Sequence, residues 1–190
     1  HGRVDMSRIE VGLPTGVSGD YEVAIYTDQT TDKNWQAYLS MSKMANDEHD
    51  TWTVLLKAGC PMPIMQNSAA EYVEHQWLWD NASGDVLIGG LGIGFVHKKL
   101  IDNPNVTSVT IVEISQDVID LVWDDCEKDD TFTLVVADFE TWTPPEGATY
   151  GVVWADTWLV DNPLNINQYK SAIAAHYGDY TDNVKFWGDI

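Results

Sequence analysis

The sequence predicts an α/β fold, a mostly parallel sheet with helices between its strands, set behind a small N-terminal β region. Three observations predict it. From residue 85 onward, short runs of Val, Ile and Leu alternate with segments of helical periodicity, the mark of strands buried on both faces and joined by crossover helices. A turn carrying Gly90, Gly92 and Gly94 follows the first run, and an acid closes each of the next three: Glu113, Asp138 and Asp156.

Ahead of that core, YEVAIYT (21–27) and WTVLLK (52–57) are rich in aromatic and β-branched residues and predict two strands. Between them, 35–44 predicts a helix with Trp35, Leu39 and Met44 turned inward. Pro61 and Pro63 break the pattern, and 64–66 predicts a short edge strand. Ser68 with Glu71 three places on is a capping box, so a helix is expected over 69–79, its Trp77 and Trp79 filling gaps in the core.

The core strands are expected over 86–88, 109–112, 131–137, 150–155 and 184–187. Ser115 should cap a helix in which Val118, Ile119, Leu121 and Val122 form one apolar stripe, with Gln116 and Asp117 suited to its first turn. TPPEG (143–147) is a turn, and 165–177 predicts a final helix. These elements place an N-terminal β-rich region at 3–67 and the α/β domain at 68–190. His1 and Gly2 precede the first methionine and read as a remnant of expression.

The segment 84–115, GDVLIGGLGIGFVHKKLIDNPNVTSVTIVEIS, is the most informative stretch. Glycines let the backbone turn tightly against a ligand, and the following helix offers its unsatisfied N–H groups. Glu113 lies 19 residues beyond Gly94, close to the roughly 20 expected for a carboxylate that accepts ribose hydroxyls. The spacing separates the candidate ligands. A dinucleotide fingerprint counted from Gly90 needs glycine where Phe95 stands, and counted from Gly89 it needs glycine where Leu91 stands. A phosphate loop needs Gly-Lys-Ser/Thr, whereas Phe95 and Val96 follow Gly94.

What remains, G-x-G-x-G on a strand-to-helix turn with a downstream acid, resembles motif I of the class I S-adenosylmethionine-dependent methyltransferases and of their relatives the spermidine synthases. The resemblance covers roughly residues 66–160. It implies a Rossmann-like sheet, truncated here after the fifth of the usual seven strands; spermidine synthases also carry a β region in front. It implies S-adenosylmethionine as cofactor, with S-adenosylhomocysteine or methylthioadenosine as product. By position, Glu113 with Ile114 would hold the ribose side, Asp138 with Phe139 the adenine, and Asp156 the amino-acid tail or the acceptor, while Gly90, Leu91, Gly92 and Gly94 form the turn. Gln66 stands where spermidine synthases place a nucleoside-touching glutamine, and His75 near their helix tyrosine; a satisfied or surface histidine is the competing reading of His75.

Transfer from a sulfonium needs in-line positioning more than acid-base power, because the leaving thioether is neutral. Asp156 is the candidate catalytic residue, able to orient or deprotonate an acceptor amine. Asp156-Thr157 resembles the start of the spermidine synthase Asp-Ser/Thr-x-Asp segment, but Trp158 and Leu159 follow and the next acid is Asp161. Asp161-Asn162-Pro163-Leu164 lacks the second proline and aromatic of the amine-methylating DNA enzymes, and that reading is rejected. Trp142, Trp154 and Trp158 could stack on a base, although core packing leads.

Charge and composition bound the rest. With 10 Lys and Arg against 30 Asp and Glu, the chain carries a formal charge of −20, which disfavours a duplex nucleic acid partner, whose phosphates it would repel, and none is expected. The scattered acids read as a solvated surface, with steering of a cationic substrate such as a polyamine as the alternative. No apolar run approaches the ~18 residues of a membrane span. Cys60 and Cys126 have no metal-ligand spacing, and reduced thiols point to a cytoplasmic protein. No metal is expected. The edge expected after the fifth strand could be covered by the N-terminal β region or by a second copy, and a homo-oligomer, a dimer first, is the expectation. The functional expectation is a methyltransferase acting on a small acceptor, with an aminopropyltransferase and a non-catalytic nucleoside-binding oligomeric module as alternatives.

Overall fold

The computed structural model describes residues 7–157 and 164–188. The chain divides into two compact units. One takes in the residues up to His75 together with 92–95 and 117–127; the other takes in 76–91, 96–116 and the chain from Lys128 onward.

In the first unit, β1 (Gly16–Ser18), β2 (Tyr21–Thr27), β3 (Thr51–Lys57) and β4 (Met65–Gln66) form an antiparallel sheet in sequence order. The strands expected at 21–27, 52–57 and 64–66 are all present. One face carries Trp52 and Val54, which pack with Trp35, Tyr38 and Met44 of the helical segment between β2 and β3. That segment is two helices, α1 (Lys33–Leu39) and α2 (Ser42–Ala45), where the sequence predicted one. The Ser40 hydroxyl donates to the Ala37 carbonyl at 2.7 Å, and Met41 is extended, so a side chain competing for a helix carbonyl ends the first helix. Trp35, 1% exposed, is the wedge of this core: its ring lies 5.2 Å from Tyr26, 5.7 Å from Tyr38 and 5.6 Å from Trp52.

The helix expected over 69–79 is also divided, into α3 (Ala69–Glu74) and α4 (Gln76–Asn81). At the break, the His75 N–H and ring Nδ1 both engage the Glu71 carbonyl, at 3.1 and 2.7 Å, which closes the first helix on itself.

The second unit is built on β5 (Gly84–Gly89) and continues through α5 (His97–Ile101) and β6 (Val106–Glu113). After α6 (Gln116–Val122) come β7 (Phe132–Val136), β8 (Val152–Ala155), α7 (Ile166–Tyr177) and β9 (Val184–Phe186). The strands lie in the order β7-β6-β5-β8-β9, and every pair is parallel. This is the Rossmann-like α/β sheet the resemblance implied, with five strands among the described residues. Pleat alternation sorts its two faces. Leu87, Val153 and Ala155 pack with Tyr169, Ile173 and Tyr177 of α7, whereas Trp154 stacks on Trp77 of α4 at 6.4 Å. Most of α6 belongs to the first unit, where Asp117 accepts the Ser18 hydroxyl at 2.9 Å and Leu121 lies against Gly16. Cys60 and Cys126 are not joined in a disulfide, and no helix among the described residues is long and apolar enough to cross a membrane.

Candidate functional site

Chain order reverses at β5: the chain runs outward through β6 and β7, then returns to β8 on the other side of β5. The carboxyl ends of β5 and β8 therefore flank the crevice where open parallel sheets bind ligands. Gly90 leaves β5 with φ 100° while its N–H still bonds the Val112 carbonyl at 2.9 Å. A Cβ on Gly90 would stand 2.6 Å from the Asp156 carbonyl oxygen. That neighbour is backbone and cannot move aside, so both conformation and space demand glycine. Gly92 and Gly94 also have positive φ, 53° and 69°.

Glu113, the last residue of β6, is held from two sides. One carboxylate oxygen accepts the Leu91 N–H at 2.8 Å and the other accepts the Ser115 N–H at 2.9 Å. A carboxylate offers about four lone pairs, so two oxygens fixed by one bond each keep acceptor capacity for a pair of hydroxyls. Its neighbour Ile114 is 65% exposed, a large apolar side chain left on the surface beside this acid.

Asp138 follows β7, and its carboxylate accepts the Glu140 N–H at 2.9 Å in a local turn. Burial first, and the Asp138 charge second, push the Glu140 carboxyl above its usual range. The Phe139 side chain is a core group. It is 2% exposed, lies where a Gly89 Cβ would meet it at 2.6 Å, and stacks on Tyr177 at 4.6 Å. The Tyr177 hydroxyl donates to the Phe139 carbonyl, which fixes this turn to α7.

Asp156 follows β8 and donates its N–H to the Gly89 carbonyl at 3.0 Å. Next to it, Thr157 meets the Tyr169 hydroxyl through both its N–H, at 3.3 Å, and its own hydroxyl, at 2.5 Å. Burial is the main reason the Tyr169 phenol is pushed up to about 12, with the Asp156 charge adding to it, so it stays protonated at neutral pH. Tyr169 was not legible as a site residue: twelve positions away on a helix, nothing in its spacing marks it.

The strands thus bring Gly90, Leu91, Glu113, Ile114, Asp138 and Asp156 to one sheet edge, as expected. Residues 92–96 separate the Gly90 turn from α5, which begins at His97 with no side-chain cap. Trp154 is 1% exposed and Trp142 packs on the α7 core, which makes both structural. Trp158 and Asp161 to Pro163 lie outside the described residues.

Gln66 belongs to the first unit, in a buried polar row. Its amide nitrogen donates to Glu71 at 3.2 Å and Ser68 at 3.4 Å, and Glu71 lies 3.6 Å from the His75 ring nitrogen. His75 is fully buried and sits 5.1 Å from the Phe95 ring, so it is an interior group and not a helix-surface one. The Ser68 hydroxyl accepts the Glu71 N–H at 3.2 Å, the capping half of the expected box. Gly92 packs against Met65, next to Gln66.

No protein-family model matches the chain, and no curated protein matches it. Among solved structures, it is similar to the N-methyltransferase NodS from Bradyrhizobium japonicum WM9 in complex with S-adenosyl-L-homocysteine, at 11% identity and TM-score 0.45, over 62% of this chain and 60% of that one. It is also similar to the spermidine synthase from Thermotoga maritima, at 11% identity and TM-score 0.49, over 87% of this chain and 52% of that one. The chain thus spans little more than half the length of each. The fold assignment rests on the strand order above.

Proposed function

We propose that the chain is an S-adenosylmethionine-dependent transferase, a methyltransferase acting on a small acceptor. The observation that carries this reading is the Glu113 carboxylate, clamped by the Leu91 and Ser115 amides beside a loop whose first glycine admits no side chain. A clamped acceptor beside bare backbone suits a vicinal diol, and the exposed Ile114 suits the flat face of a base. In this reading Gly90, Leu91, Glu113 and Asp138 hold the nucleoside, and the cofactor supplies an electrophilic methyl on a sulfonium whose departure leaves a neutral thioether. Asp156, fixed through its N–H and braced by the Tyr169 contact to Thr157, orients the acceptor and takes its proton. The same reading gives the protein a small-molecule partner, an amine among the candidates, and a dimeric state.

Calorimetry with S-adenosylmethionine and S-adenosylhomocysteine tests it. Both should bind, and Glu113→Ala should weaken each by about 1–3 kcal/mol through loss of a charged acceptor. Absence of binding at millimolar ligand removes the cofactor assignment; unchanged affinity in the variant removes Glu113 from it. Sedimentation of the purified chain as a monomer refutes the dimer.

A further inference from the structure

The sheet edge that carries Asp156 runs one strand further. Trp187 follows β9 directly, and its N–H donates to the Ala155 carbonyl at 3.0 Å, so the ladder that pairs Ala155 with Phe186 sets Asp156 and Trp187 side by side, one strand spacing of about 4.8 Å apart. Pleat alternation puts the two on the same face. Ala155 and Phe186 turn toward α7, in the cluster of Tyr169 and Ile173, while Trp154 and Lys185 turn the other way, each against the Trp77 ring. The Thr157 hydroxyl returns to α7, where it meets the Tyr169 hydroxyl, so Asp156, between Ala155 and Thr157, belongs to the Trp77 face. Trp187, next after Phe186, belongs there too. It stays 37% exposed, whereas Trp154 on that face is 1% exposed and taken up by the core.

We propose that Trp187 is a specificity-determining residue of the acceptor site, its ring and the Asp156 carboxylate together receiving an acceptor whose nucleophilic nitrogen arrives as an ammonium. The inference rests on the adenosyl reading and adds to it the charge of the acceptor. Distance assigns Trp187 to the acceptor and not to the nucleoside: it stands three strands from Glu113, across β5 and β8, about 14 Å away and beyond the reach of a ribose held at that carboxylate. Asp156 takes one N–H proton of the ammonium, and the lone pair so freed forms the new nitrogen–carbon bond as the carbon–sulfur pair goes to the departing thioether. The nitrogen is positive on arrival and positive again in the product. An indole face, the best of the aromatic faces for a cation, suits both states, and a neutral hydroxyl acceptor forgoes that attraction.

The test follows the indole N–H signals by nuclear magnetic resonance in the full chain saturated with S-adenosylhomocysteine, the Trp187 signal being the one that Trp187→Phe removes. Titration with n-butylammonium should shift it saturably, and butan-1-ol should not. By calorimetry, Trp187→Leu should weaken n-butylammonium about fivefold, and Trp187→Phe, which keeps a ring, should restore most of that affinity. S-adenosylhomocysteine should bind both variants as it binds the parent. An equal response to butan-1-ol, an unmoved Trp187 signal, unchanged amine affinity in Trp187→Leu, or no rescue by phenylalanine would each overturn the role of Trp187 and leave the adenosyl reading standing. Failure of S-adenosylhomocysteine to bind the parent would overturn the adenosyl reading, and this inference with it.

Discussion

Gly90 shows how much a single position decides. Replacement by alanine places a methyl 2.6 Å from a carbonyl that cannot retreat, at a φ of 100° that side chains avoid. Gly90→Ala should lower stability by about 1–3 kcal/mol and abolish nucleoside binding, read by thermal melts and calorimetry on the same sample. Asp47 is the counterpart in the first unit. Burial alone would raise its pKa, but the N–H groups of Ala69 and His49, the His49 ring and the Trp52 indole together hold it below the usual carboxylate range. A depressed folded pKa contributes stability above the unfolded value of 3.8, and that stability is lost as pH falls through the folded value. Asp47→Ala should cost about 2–4 kcal/mol at neutral pH, because several buried donors lose their acceptor. In pH-dependent urea melts the gap between parent and variant should close only below pH 3.8; a constant gap refutes this account.

At the scale of elements, α7 is the brace of the parallel sheet. Asn165 caps it, accepting the Gln168 N–H at 2.8 Å while the Gln168 side chain returns a bond to the Asn165 N–H at 3.0 Å. Asn165→Ala should cost about 1 kcal/mol, measured by denaturant melts. Along the same helix, Tyr169 reaches Thr157 and Tyr177 reaches the Phe139 carbonyl, so one element steadies the turns after β7 and β8. Tyr169→Phe should reduce turnover more than it reduces cofactor affinity, since it loosens the Asp156 segment and leaves Glu113 untouched. Equal losses in both would make Tyr169 a simple packing residue.

For the whole molecule, the charge of −20 sets a self-repulsion that local ion pairs do little to offset. The pairs Arg8 with Glu10 and Lys98 with Asp102 join residues close in sequence, each with at least one partner well exposed to solvent. Screening should therefore stabilise the fold: raising NaCl from about 0.05 M to about 1 M shortens the Debye length severalfold and should raise the Tm. A Tm that falls or stays level across that range would show that the acids are spaced too widely to repel.

The sequence by itself determined the alternation of buried strands and helices, the glycine turn, and the placing of Glu113, Asp138 and Asp156 at strand ends. Those features are local: they depend on side-chain period and on residues within one turn of the backbone. The helix breaks are equally local, Ser40 bonding Ala37 and His75 bonding Glu71, but they turn on rotamers that a residue string does not encode, so they were decided only by the tertiary structure. It alone showed that the Phe139 ring and Trp154 belong to the core, that Tyr169 props the Asp156 segment, and that Trp187 stands beside Asp156 on the next strand. Each of these joins residues far apart in the chain, and such contacts exist only once packing has chosen which surfaces meet.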